Sequence, residues 1–178
     1  MEMPQGAKEY FKDRVASAPG TSKGVGPTQK PTTQKGVDVG RRETKEYDFS
    51  NESSLALVAK AWEALNNKDE GGVIAYTSRS IELYEKEAKA QQSSLKDFAQ
   101  SGSEEKYQYL NDIAACYFMR GEFYKYNKSW AKSKAAYRKV VNDFSFAQYW
   151  DPRGWWWKPA EISKDEIVKI DEGYYEDK

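Results

Sequence analysis

The segment YFMRGEFYKYNKSWAKSKAAYRKVV, residues 117–141, reads as two helices joined at the polar run YNKS, residues 126–129. Before the break, Leu110, Ala114, Tyr117, Gly121 and Tyr124 recur at three- and four-residue steps. After it, Trp130, Ser133, Tyr137, Val140 and Phe144 do much the same. Such spacing places each set on one face of a helix with 3.6 residues per turn.

Toward the N-terminus the pattern continues. Ser50 and Asn51 are good N-caps, and Leu55, Val58, Trp62 and Leu65 follow as an amphipathic stripe. NNKDEGG, residues 66–72, breaks it. Ile74, Thr77, Ile81, Tyr84, Ala88, Gln91, Leu95 and Phe98 form the next stripe, with Gln91 its one polar lapse. This predicts a single helix over residues 72–99, roughly 40 Å long at 1.5 Å per residue. SGS at 101–103 ends it, with Ser103 expected to cap the following helix. No segment shows the strict alternation of a half-buried strand, so the predicted class is all-α.

The two helix pairs register at an offset of sixty. Leu57 falls on Tyr117, Ala61 on Gly121, Ala64 on Tyr124, Thr77 on Tyr137, Ser80 on Val140, Ile81 on Val141 and Tyr84 on Phe144. The second copy resembles the tetratricopeptide repeat, with its order of large apolar, small, aromatic, turn, aromatic, small, aromatic and an apolar pair. In that family the small residue, here Gly121, lets the first helix of a pair approach its neighbour, and the aromatics fill the groove between the two. The family period is 34 residues. The extra length here is accommodated if the second helix of one pair and the first of the next are both extended, giving a long antiparallel hairpin that turns at 101–103. AAYRKVVNDFSFA, residues 135–147, is also similar to helix ends of cell-envelope members, such as outer-membrane assembly lipoproteins and Tol-Pal accessory proteins.

The resemblance implies a stack that binds peptides or other subunits through its first helices. The candidate groove positions, read as facing out from the stack, are Lys60, Glu63, Asn67, Arg120, Phe123 and Asn127. They do not reproduce the Lys/Asn/Arg clamp that some members use for peptide carboxylates.

Residues 1–49 read as an extended arm. The stretch 19–40 is rich in Gly and Pro, and no aromatic lies between Phe11 and Tyr47, so such a segment buries too little apolar surface to offset its ordering entropy. Before it, AKEYFKDRVA, residues 7–16, places Tyr10, Phe11 and Val15 on one side of a short helix, a candidate docking hook. Residues 20–45 carry six basic side chains against Asp38 and Glu43, whereas residues 161–178 carry seven acidic ones against three lysines.

The helical repeats are expected over residues 50–146, followed by a Trp-rich cap with a short helix and acidic tail over 147–178. WDPRGWWWKP, residues 150–159, holds four of the six tryptophans. Helical stacks need a cover for the exposed face of their last pair, and that is the expected role, with a turn at 151–154. Trp155, Trp156 and Trp157 cannot all point one way, so Trp155 and Trp156 are candidates for an outward contact. The alternative is a polysaccharide or cell-wall platform built from Trp150, Trp155, Trp156 and Trp157. Ser163 with Glu166 is expected to form a capping box opening the last helix.

The chain has 178 residues, 28 basic against 28 acidic, no histidine and one cysteine, Cys116. Nothing in the charge balance points to nucleic acid. Without histidine, Ser-His-Asp and Cys-His nucleophiles and His-containing zinc sites are excluded. Carboxylates such as Asp69, Glu70, Asp165 and Glu166 are expected in structural roles at helix termini, and Cys116 as a buried small residue. NES at Asn51 and NKS at Asn127 match the glycosylation pattern, which matters only for a secreted chain. No apolar run reaches the length of a membrane span, and the N-terminus shows no signal peptide. Numbered from its own start the chain is expected to be soluble and cytoplasmic, or periplasmic or extracellular if that numbering is of a processed chain. The reading is a non-enzymatic adaptor or accessory subunit without metal or cofactor, whose partner is another protein or assembly.

Overall fold

The structure, a computed structural model, describes residues 46–151 and 155–176. Five helices follow in order: α1 (Ser54–Asn66), α2 (Glu70–Ser94), α3 (Gln108–Tyr126, preceded by a 3-10 turn at Glu104–Tyr107), α4 (Trp130–Asp143) and α5 (Pro159–Asp171). Each packs on the next, and α3 also touches α1 and α5. The cross-contacts fix the directions. Arg120 meets Thr77 and Leu110 meets Gln91, so α2 and α3 are antiparallel. Tyr117 stacks on Phe144 and Gly121 meets Tyr137, so α3 and α4 are antiparallel too. None of these helices is long and apolar enough to cross a membrane.

The mainly helical class holds, with one addition. Tyr149–Asp151 (β1) and Trp155–Trp157 (β2) form an antiparallel ribbon that pairs Tyr149 with Trp157 and Asp151 with Trp155. Strands of three residues are too short for alternation to show in the sequence.

The core runs along the middle of the stack. Leu57, Val58, Val73, Leu110, Ile113, Met119, Tyr137, Val140 and Phe144 are fully buried. Tyr117 and Val141 are half-buried. At the sequence position read as the small residue, a Cβ on Gly121 would lie 2.4 Å from the Tyr137 ring, and Ser133 Oγ donates to the Gly121 carbonyl at 2.9 Å. Only a glycine lets α3 and α4 approach this closely.

The ends of the first and third helices match bond for bond at the offset of sixty. Asn67 N donates to Glu63 O, Lys68 N to Leu65 O and Asp69 N to Ala64 O, at 3.0, 3.1 and 2.8 Å. Asn127, Lys128 and Ser129 repeat this onto Phe123, Lys125 and Tyr124 at 3.2, 3.0 and 2.8 Å. The end of α5 makes the same turn a third time, through Glu172, Gly173 and Tyr174. This is the Schellman arrangement, whose penultimate residue is left-handed. Here φ is 56° at Lys68, 53° at Lys128 and 72° at Gly173.

Several helix boundaries differ from the sequence expectation. The cap of α1 is Ser53, whose side chain accepts Ala56 N, while Asn51 takes Ser53 N instead. The second helix runs from Glu70, capped by Asp69, to Ser94 rather than over 72–99. Ser93 and Ser94 turn their hydroxyls back onto Lys89 O and Gln91 O, and such side-chain bonds compete with helix propagation. Phe98 then packs on Phe146 from outside the helix. Ser103 makes no side-chain cap; its hydroxyl donates to Gln100 O. Gln91, the polar lapse, does that work. It accepts Leu110 N at 2.7 Å and donates to Lys106 O at 2.8 Å, closing the start of α3.

The largest correction is at α5. It starts at Pro159, which suits the first helical turn, and not at Ser163. Ser163 and Glu166 are therefore interior and buried, and form no capping box.

Candidate functional site

The sequence candidates separate into three groups. Lys60 and Arg120 are engaged internally. Lys60 Nζ donates to Asp48 O and Oδ2 at 2.6 and 2.8 Å and sits 5.7 Å from the Tyr76 ring centroid. Arg120 ties α3 to α2 through Thr77 Oγ1 and Ser78 Oγ at 2.8 and 2.6 Å. Phe123 does not face out from the stack. It is 4% exposed in a small cluster with Ala64 and Val73, a correction to the groove reading. The cause is the position of α3, which lies between four other elements and has no wide free face.

Glu63, Asn67 and Asn127 do face solvent. Asn67 and Asn127 lie in the repeated turns and Glu63 in the last turn of α1, so the three gather on one edge of the stack instead of in a groove. Asn127 Nδ2 also donates to Phe123 O. Trp156 is half-buried. Of Trp150 and Trp155 the backbone alone is described, and Tyr10 and Phe11 lie outside the described residues.

Trp157 is 1% exposed, packed edge-on against Phe118 at 5.2 Å and at a tilt against Tyr149 at 5.1 Å. Phe118 in turn touches Trp62 of α1 and Tyr137 of α4. Below the ribbon, Gln148 N donates to Asn111 Oδ1, Gln148 Nε2 to Ala99 O, and the Tyr149 hydroxyl to Asn111 O. The ribbon is thus stitched to the start of α3.

The segment just before α1 lies against the first hairpin. Tyr47 donates to Asp69 Oδ1 at 3.1 Å, and Tyr47 and Phe49 both pack on Tyr76. Glu52 receives two bonds from Arg79, at 2.6 and 3.0 Å, and its carbonyl accepts from Tyr84. Tyr47 thereby fixes the place where the arm meets the stack, beside the turn that ends α1.

A buried ionic cluster joins α3, α4 and α5, and the sequence reading missed it. Lys125 Nζ bonds Glu122 Oε1 at 2.8 Å and Glu166 Oε2 at 2.6 Å. Tyr137 donates to Glu122, and Tyr175 to Glu166 Oε2; Lys169 bonds Glu166 Oε1 at 2.8 Å. Glu166 is 1% exposed. Burial alone would raise its carboxyl, but the bonds from Lys125, Lys169 and Tyr175 outweigh burial and hold it below the ordinary glutamate value. Burial and the neighbouring Glu122 push the Tyr137 phenol well above its usual range. Two carboxylates do therefore meet, as an acid–base enzyme requires, but both oxygens of Glu166 are already bonded and the cluster is filled by protein donors. Its chemistry is that of a clamp. The signal in the sequence was Pro159: a helix begun there puts Ser163, Glu166 and Ile170 on one buried stripe. Among the described residues no group of acidic or sulfur side chains is arranged to hold a metal ion.

The chain matches no protein-family model, no curated protein and no solved structure with which it was compared.

Proposed function

We propose that this protein is a non-enzymatic adaptor or accessory subunit, a tetratricopeptide-like stack that holds another protein through its turn edge and its N-terminal arm. The observation that carries this reading is a convergence. The solvent-facing candidates Glu63, Asn67 and Asn127 share one edge, and Tyr47 brings the arm in at that same edge. Two attachments so placed act through effective concentration, so that their affinities reinforce each other.

The serial antiparallel packing, the glycine contact at Gly121 and the turn repeated at an offset of sixty support the tetratricopeptide-like description. In the cap, α5 covers α4, and the ribbon is anchored by Trp157 against Phe118 of α3. Burial of Trp157 counts against a flat stacking platform for polysaccharide, which needs its rings open to the ligand.

The test is capture with three baits of equal helicity: the full chain, a chain lacking residues 1–45, and Glu63→Ala/Asn67→Ala/Asn127→Ala. Loss of the same protein by both altered baits supports the reading. Retention by both contradicts it.

A further inference from the structure

Arg120 uses only one edge of its guanidinium within the fold. It is half-buried on α3, where Nε donates to Thr77 Oγ1 at 2.8 Å and Nη2 to Ser78 Oγ at 2.6 Å. Those two nitrogens form the side edge of the planar group. The end edge, Nη1 with the second N–H of Nη2, is left over, and such an edge matches a carboxylate through two parallel bonds. Both acceptors already present are neutral hydroxyls, and among the described residues Arg120 makes no ion pair. A charge that has lost part of its hydration without gaining an opposite charge gains from an incoming anion. Ser78 is exposed, so the bond to it brings the guanidinium to the surface.

The surroundings leave room for a side chain to enter. Helices α2 and α4 both pack on α3 but not closely on each other, which leaves a groove with α3 as its floor. Tyr117, Arg120 and Tyr124 recur along that floor at three- and four-residue steps. Tyr117 spans the groove, bonded to Glu85 of α2 at 3.2 Å and stacked on Phe144 of α4. Farther along, Gln92 of α2 closes it through Ser145 and Phe146, both at 3.0 Å. Beside Arg120 it opens toward the turn edge. There Lys132 of α4 is exposed, with Nζ 5.6 Å from the Tyr124 ring centroid, and it makes no ion pair among the described residues. The acidic side chains on the walls are already paired: Glu82 with Arg79 at 2.9 Å, Glu85 with Lys89 at 3.1 Å and Asp143 with Lys139 at 2.9 Å.

We propose that the open end of this groove binds the carboxylate of a Glu or Asp side chain in an acidic, partly apolar segment of the partner. The assignment rests on the adaptor reading and adds to it a contact made by residues other than Glu63, Asn67 and Asn127. The end edge of Arg120 receives the carboxylate, Lys132 adds a second positive charge, and the Tyr124 ring covers an apolar neighbour in the segment. A phosphate fits less well, since it would bring a charge of about −2 into a groove that already holds Glu82, Glu85 and Asp143.

Nuclear magnetic resonance of the full chain tests this with three probes: a capped hexapeptide of alternating Glu and Leu, the same peptide with Gln for Glu, and inorganic phosphate. The expected result is a saturable shift, on adding the Glu peptide, of the Arg120 Nε–H signal and of the amides of Ser78, Tyr124 and Lys132. The Gln peptide should bind at least about tenfold more weakly, the difference made by one charge-assisted pair. Arg120→Gln and Ser78→Glu should each abolish the shifts. Ser78→Glu guards against a mere folding defect, because its own carboxylate fills the site: it should raise the melting temperature while blocking the peptide. Absence of saturable shifts, equal affinity for the Glu and Gln peptides, or binding that survives both variants overturns the proposal. Tighter binding of phosphate than of the Glu peptide overturns it as well. Both variants leave Glu63, Asn67, Asn127 and the arm intact, so failure here leaves the capture experiment to decide the adaptor reading.

Discussion

Lys125 and Glu166 form a buried ion pair 2.6 Å apart, across the junction of α3 and α5, with 11% and 1% of their side chains exposed. A buried pair of this kind is weak evidence of net stabilisation, yet removing Lys125 takes one of three donors from a buried carboxylate that Lys169 and Tyr175 still bond. Lys125→Met should therefore cost about 1.5–3 kcal/mol in a urea titration. Lys125→Met/Glu166→Leu should recover most of that loss. Equal stability of the two variants would contradict the pairing.

The same pair sets a pH dependence. Glu166 is more acidic in the folded protein than its ordinary value of 4.5. Its contribution is complete above that value and is lost as the pH falls through the lower folded one. The stability gap between the native chain and Glu166→Gln should be constant near neutrality and shrink on acidification below about pH 4. A gap that widens on acidification would reverse the assignment.

Gly121 should tolerate no side chain. Its missing Cβ faces the Tyr137 ring at 2.4 Å, so Gly121→Ala should destabilise by about 1–3 kcal/mol despite the better helix propensity of alanine. Trimming the ring in Gly121→Ala/Tyr137→Leu should make the two changes less than additive, because they share one contact. Thermal melts of the four proteins decide it.

Lys68 and Lys128 occupy left-handed positions that favour glycine. Lys68→Gly and Lys128→Gly should each raise stability by about 0.5–1 kcal/mol. The change at Lys68 also gives up the contact with the Tyr126 ring, which takes back part of that gain.

How far the sequence speaks depends on how many faces of an element are free. The turn at 126–129 was legible because Asn127, Lys128 and Ser129 interrupt two clear stripes, and its twin at 66–69 because the pattern recurs sixty residues earlier. Periodicity assigns an outward face only where a helix has one. Helix α3 is buried over Leu110–Cys116 and again at Phe118, Met119, Gly121 and Phe123, so calling Phe123 outward had no basis in its phase. At Glu166 a local motif competed with a better start signal. Ser163 and Glu166 have capping-box spacing, but Pro159 begins the helix earlier and rotates both inward. The ribbon was hidden by its brevity, although the sequence Pro-Arg-Gly between two Trp-containing flanks is a hairpin signal. The role of Gln91 as a cap for another helix is tertiary, and no local pattern announces it.

The central claim is that the turn edge and the arm hold one partner together. Its most direct measurement is the dissociation constant of the captured partner for the full chain, for the chain lacking residues 1–45, for the edge variant Glu63→Ala/Asn67→Ala/Asn127→Ala, and for both changes combined. The account predicts that each single change weakens binding by about ten- to a hundredfold, that the combination abolishes it, and that circular dichroism of the helices stays the same. Undiminished affinity in the combined variant would contradict it.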